Sequence, residues 1–341
     1  MSDGVRHPFP DAPPEGEAVV VADGILWLRL PLPMALDHVN IYALDEGDGW
    51  TLVDCGLFSR RTVAIWERLL AGPLQGRPVN RVILTHHHPD HVGMVGWFQS
   101  RGAEVLATRT AWLYARMLVL DVQDRPSAEA MTFYRRAGVT EAELARRAAE
   151  RPFNFADVVA PMPVGFTRLV DGQTLLAGGR EWTVRFGQGH APDHATLWAN
   201  DGLVLGGDQL LPGISANIGV YPTEPDADPL TEWLTSCERF QGLSDDRQLI
   251  LPGHKLPFTG LPFRLVQMIE NHASALGRLV EHLGQPRTAQ DCFQPLFKRE
   301  IGTAEQGLAL VEAVAHLNCL LGRGMVRRSL RQGGAWHWER V

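Results

Sequence analysis

Between Thr85 and His91 the chain reads Thr-His-His-His-Pro-Asp-His, directly after the compact apolar run RVILT. His86 and His88 stand two apart at what reads as a strand end, so their side chains point the same way. Pro89 and Asp90 open a helical stretch, VGMVGWFQSRG, that ends at Gly102. A strand that turns into a helix at this point brings His86, His88, Asp90 and His91 onto one site from the spacing H-x-H-x-D-H. Imidazole nitrogens and carboxylate oxygens are the ligands zinc prefers. His87 lies between ligands and is expected to point away.

The rest of the chain is read around that run. Short β-rich segments begin at Ala18, with Asp-Gly turns in AVVVADGILWLRL and NIYALDEGDGWTLVD, and RTVAIWERLLA (61–71) has helical spacing. Residues 111–155 are helical in composition, with Thr140 and Glu143 as a capping-box signal. Strand patterns return in DGQTLLAGGREWTVRFGQG and HATLWANDGLVLGGD, the latter folded at Asp201-Gly202. After Pro257 the chain is helical again and closes on WHWERV.

Three further residues follow strand-like runs: His190 in RFGQGHAPDH, Asp208 in LVLGGDQLL and His254 in QLILPGHK. A glycine precedes each histidine, which suits a turn aiming a side chain into a shared cleft. In this order the series resembles the metallo-β-lactamase superfamily, over most of residues 18–260, and within it the hydrolytic two-metal branch. The resemblance implies an α/β fold, a four-layer αβ/βα sandwich with a helical insertion and a small, mostly helical carboxy-terminal domain. It implies that His86, His88 and His190 hold one metal, that Asp90, His91 and His254 hold the other, and that Asp208 bridges them. Two Zn2+ are expected, with Mn2+ or Fe2+ fitting the same donors. The second position is His88, where flavodiiron relatives carry Glu, and this favours hydrolysis over oxygen chemistry.

The expected chemistry is attack by a metal-bridging hydroxide, with Asp90 orienting it or relaying its proton. Asp54, in LVDCG, matches a position where relatives place a carboxylate behind a ligand imidazole, and Thr85 is a candidate hydrogen-bonding neighbour. His194 either lines the site or packs, and His272, His282 and His316 read as surface or packing residues. Tyr221, in NIGVYPTEP, is the candidate non-metal donor to a developing oxyanion.

The expected division is a flexible arm over 1–17, rich in Pro, Asp and Glu, a metallo-β-lactamase domain over 18–260 with its insertion at about 111–155, and a winged-helix-like domain over 261–341. The insertion reads as a lid, a homodimer surface or simply packed core. A net charge of -7 gives no footprint for nucleic acid, and residues 262–341 carry ten basic against seven acidic side chains. Neither an export signal nor a membrane span is apparent, so a cytoplasmic enzyme with a small-molecule substrate is expected. Cys55, Cys237, Cys292 and Cys319 are widely spaced and read as buried small hydrophobes. The leading function is hydrolysis of a small ester-like substrate, a thioester first and a lactone second. The alternatives are a phosphodiesterase or ribonuclease of the same fold, and a non-catalytic nucleic-acid-binding protein that retains it. A secreted β-lactamase fits less well without an export signal.

Overall fold

The computed structural model describes residues 4–341. Two compact units result: the first holds the chain up to Val122 with Asn154–Ala216 and Ser244–Arg264, the second Gln123–Phe153, Asn217–Leu243 and Leu265–Val341.

The first unit is built on two sheets. One contains, in spatial order, β1 (Val19–Ala22), β2 (Ile25–Pro31), β3 (His38–Asp45), β4 (Trp50–Val53), β5 (Val79–Ile83), β6 (Glu104–Thr108) and β7 (Thr167–Leu169). Its β1–β4 part is antiparallel, joined by tight turns such as Asp23-Gly24, and from β4 onward the pairing is parallel. The parallel part needs crossovers, which the helices supply. These are α1 (Arg60–Ala71), α2 (Pro89–Val92), α3 (Val95–Gln99) and α4 (Arg109–Leu120). Ser59 caps α1 by accepting the Thr62 N–H at 3.0 Å. The helix buries Ile65, Trp66 and Leu69, which share a core with Leu28, Ile41 and Leu52 of the sheet and with Phe98 and Trp112 of α3 and α4.

The second sheet runs β12 (Leu249–Pro252), β11 (Leu203–Gly207), β10 (His194–Ala199), β9 (Arg180–Gly187) and β8 (Thr174–Ala177). Its pairing is antiparallel except for β11 with β12. Trp27, Tyr42, Val53 and Ile83 from the first sheet meet Trp182, Val184, Leu197, Leu205 and Leu251 from the second in one apolar core. β3 is buried along nearly its whole length because both of its faces are covered, so its alternate polar residues His38, Asn40 and Tyr42 are buried with its apolar ones.

The arm is held more firmly than its composition suggests. Arg6 and Thr259 exchange both backbone hydrogen bonds, at 3.2 and 2.9 Å, and Phe9 packs edge-on against Trp27. Glu15 pairs with Arg61 and Arg68. Backbone pairing and an aromatic anchor thus fix a segment whose composition alone offers no core.

The second unit contains α5 (Ala128–Arg136), α6 (Glu141–Ala149), α7 (Pro229–Gln241), α8 (which spans Leu261–His282 and begins in the first unit), α9 (Phe293–Phe297), α10 (Gln306–Gly322) and the hairpin of β13 (Val326–Leu330) with β14 (Trp336–Arg340). Thr140 caps α6 by accepting the Glu143 N–H. The contact units do not follow the contiguous division expected from sequence. α4 stays with the sheets, whereas α5 and α6 join the carboxy-terminal helices, because the chain after α5 meets residues 288–290: Ala137 accepts from Gln290 N–H and Gly138 packs on Thr288. All four cysteines are free and buried. Among the described residues no helix is long and apolar enough to cross a membrane.

Candidate metal centre

The first unit gathers its histidines and carboxylates just past the carboxyl ends of β5, β9, β11 and β12. Three overlapping sets each bring their ligating atoms within 4.8 Å of one another: His86, His88 and His190; His86, His91 and Asp208; and Asp90, His91 and His254. All seven sequence candidates are therefore brought together. His86 Nε2 lies 3.0 Å from His88 Nδ1 and 3.3 Å from His190 Nε2. His254 Nε2 lies 3.4 Å from Asp90 Oδ2 and 3.2 Å from Asp208 Oδ2. Asp208 is shared, with Oδ1 3.5 Å from His91 Nε2 and Oδ2 3.5 Å from His190 Nε2.

Hydrogen bonds behind the rings assign their tautomers. Asp54, 2% exposed, accepts the Thr85 N–H on Oδ1 (2.8 Å), and on Oδ2 it accepts the Thr85 hydroxyl (2.8 Å) and His91 Nδ1–H (2.7 Å). With its one proton given to Asp54, the Thr85 oxygen accepts from His86 Nδ1–H at 2.9 Å. His254 Nδ1–H donates to the His38 carbonyl at 2.7 Å. In the neutral ring each bond puts the proton on Nδ1 and leaves Nε2, which faces the cluster, as the atom able to bind a cation.

Backbone geometry permits the convergence. Gly189, ahead of His190, has φ +98°, a region open to glycine. Gly253 fills a different need, since a Cβ there would lie 2.3 Å from Asp208 Oδ1 and 3.0 Å from His91 Cε1. The His190 loop is braced by Gln188 and Asp193, which exchange two hydrogen bonds at 2.8 and 2.9 Å, and Thr110 donates to the second Asp193 oxygen.

Burial pushes the pKa of His86 and of His88 well below 6.5 and keeps them neutral. At His91 and His254 burial acts the same way, but Asp208 and its neighbours outweigh it, raising His91 well above 6.5 and His254 to about 10. Burial disfavours the carboxylates of Asp90 and Asp208 too, yet the facing His91 and His254 hold both below the usual range. A divalent cation fits these residues. Five nitrogens and two carboxylates converge, and the buried His91 Nε2 and Asp208 Oδ1 have no hydrogen-bond partner.

His87 is buried with its ring 5.2 Å from Tyr114 and belongs to none of the three sets. Tyr221 lies in the second unit, 43% exposed. His272 and His316 form a buried pair 3.1 Å apart in that unit. The role of His194 was not legible in the sequence: it is fully buried, stacks on His86 with centroids 4.6 Å apart, and its Nε2 accepts the Asp208 N–H at 3.1 Å. Its one signal was a position opening a strand beside the His190 turn.

Comparison with known proteins follows the same pattern. A family model described as "Metallo-beta-lactamase superfamily" matches residues 34–254, and one described as "Metallo-beta-lactamase-like, C-terminal domain" matches residues 276–341. The "Probable metallo-hydrolase YqjP" of Bacillus subtilis (strain 168) is 26% identical over 311 residues, covering 88% of this chain and 93% of that protein. A "Beta-lactamase domain protein" from Burkholderia ambifaria has a crystal structure that superposes with a TM-score of 0.90 at 33% identity, covering 99% of this chain and 98% of the other. A "metallo-beta-lactamase family protein" from Thermus thermophilus gives a TM-score of 0.79 at 27% identity, covering 94% of this chain and 100% of the other.

Proposed function

Because the chain belongs to the metallo-β-lactamase superfamily and is a metal-dependent hydrolase, we propose that it holds two zinc ions and hydrolyses a small ester-like substrate, a thioester first and a lactone second. The observation that carries the two-metal reading is that the Asp208 carboxylate reaches residues of both ligand sets, His190 of one and His91 and His254 of the other. His86, His88 and His190 would hold one ion, Asp90, His91 and His254 the other, and Asp208 both. When bound, such ions polarise a carbonyl oxygen and bring the pKa of water into the neutral range.

The chain's own residues do the rest. Asp54 and Thr85 fix the tautomers of His91 and His86, and the His38 carbonyl fixes that of His254, so three nitrogens are presented without rotation of a ring. Asp90, whose side chain is the more open of the two carboxylates, is placed to orient the attacking water or relay its proton. None of the four buried cysteines is needed as a nucleophile.

The test is metal content by elemental analysis of the parent and Asp208→Ala, each assayed against thioester, lactone and phosphodiester panels. Near two zinc ions per chain with thioesterase or lactonase activity, both lost in the variant, is the expected result. A parent that binds no metal after reconstitution, or that cleaves phosphodiesters alone, would overturn the proposal.

A further inference from the structure

The turn that carries His254 lies where the second sheet stops. β11 and β12 pair as far as Gly207 and Pro252, and one more backbone bond joins Gly253 N–H to the Gly207 carbonyl at 2.8 Å. Beyond it Lys255 has φ +68°, a conformation uncommon for a residue with a side chain, so the shape of the turn is imposed from outside.

Ile250 and Phe258 close the base of the turn by exchanging backbone bonds at 2.8 and 3.0 Å, and β3 holds its apex. His38, Asn40 and Tyr42 alternate along β3 and so share a face. The Tyr42 hydroxyl donates to the Pro252 carbonyl at 3.0 Å. The Asn40 amide donates to the same carbonyl at 2.9 Å and to the Lys255 carbonyl at 2.7 Å, spanning both ends of the turn. Asn40 N–H donates to the Gly253 carbonyl at 2.7 Å. His38 acts twice: its carbonyl accepts His254 Nδ1–H at 2.7 Å, and its Nε2 accepts the Lys255 N–H at 2.8 Å. That second bond leaves the His38 proton on Nδ1, which donates to Asp37 Oδ1 at 2.5 Å.

We infer that His38, Asn40 and Tyr42 are positioning residues, a clamp that sets the rotation and tautomer of His254 and through it the affinity of the metal site His254 serves. This rests on the reading of His254 as a ligand. The clamp acts beyond the β11–β12 pairing, and the bonds it makes to the His254 turn all fall on the four residues from Pro252 to Lys255. Its effect is therefore on aim as well as on folding.

The experiment compares zinc affinity, measured by competition with a chromophoric chelator, in the full-length parent, Asn40→Leu, Tyr42→Phe and His254→Ala. The absorption spectrum of each cobalt-substituted protein and the unfolding midpoint of each metal-free protein are recorded alongside. Asn40→Leu is expected to weaken zinc binding ~10-fold or more, the usual effect of losing support behind a ligand. Its cobalt spectrum should move in the direction seen for His254→Ala. Tyr42→Phe, which removes one hydroxyl, should weaken binding in the same sense by less, with an unchanged metal-free midpoint. Parent-like affinity and spectra in both β3 variants, beside weak binding in His254→Ala, would overturn the clamp and leave the ligand reading standing. Parent-like binding in His254→Ala would overturn the ligand reading and the clamp together. Should Asn40→Leu fail to fold, Tyr42→Phe decides alone, and parent-like affinity there overturns the clamp.

Discussion

Replacing Asp54 by asparagine changes almost no volume and removes one charge, yet three donors depend on that carboxylate. An asparagine whose oxygen faces the Thr85 N–H turns its NH2 toward His91 Nδ1–H, so that two donors meet in a site closed to water. Flipping the amide moves the same conflict onto Thr85 N–H. The relief open to His91 is to carry its proton on Nε2, the atom aimed at Asp208 and needed for a metal. The φ of +63° at Asp54 is no obstacle, because asparagine tolerates the left-handed region. Losing a partner behind a ligand histidine costs roughly 10–100-fold in metal affinity, which is about 1.4–2.8 kcal/mol. Chelator competition with zinc on the parent and Asp54→Asn measures this directly. An affinity within threefold of the parent would refute the argument that Asp54 sets the His91 tautomer.

Three further expectations concern space, packing and protonation. Gly253→Ala puts a methyl group 2.3 Å from Asp208 Oδ1, so zinc stoichiometry should fall while the far-ultraviolet spectrum stays native; full metal content would show that Asp208 has room to move. Trp182, fully buried between the sheets, should cost about 3–5 kcal/mol when cut to alanine, and a loss below about 1 kcal/mol in denaturant unfolding would contradict the core described above. Glu312, in the second unit, has its pKa raised to about 7 by burial, only partly offset by the Asn217 amide. The folded chain therefore binds the proton more tightly, and stability falls as pH rises from the ordinary glutamate range to about 7, then levels off. Glu312→Gln should remove that slope, gaining about 1–3 kcal/mol on the parent between pH 5 and pH 8; an equal advantage at both pH values would count against a buried, proton-binding Glu312.

Four of the seven clustered residues were legible because their spacing is local. His86, His88, Asp90 and His91 lie within six residues at a strand-to-helix turn, whereas His190, Asp208 and His254 were singled out by the resemblance that the ordered series carries. The Asp-Gly turns and the Thr140 cap were legible for the same reason. What escaped depends on long-range pairing. Arg6 meets Thr259 and Asn40 meets Pro252 only after both sheets exist, and no spacing announces either. His38, Asn40 and Tyr42 do leave a trace, polar side chains at every second place of an otherwise apolar strand, but that pattern looks the same for a strand half exposed to water. The reach of α5 toward residues 288–290 depends on surfaces more than a hundred residues apart in the chain.

The four free cysteines give the two units separate clocks. Burial lifts the Cys55 thiol well above its ordinary pKa and the Cys292 thiol to about 12, so thiolate, the form that reacts, is scarce in the folded chain. An alkylating reagent must then wait for each site to open. Cys55 lies in the sheet unit, whereas Cys237, Cys292 and Cys319 lie in the helical one. Labelling rates read residue by residue would thus report the opening free energy of each unit without any introduced probe, and would show whether metal protects one unit alone or both.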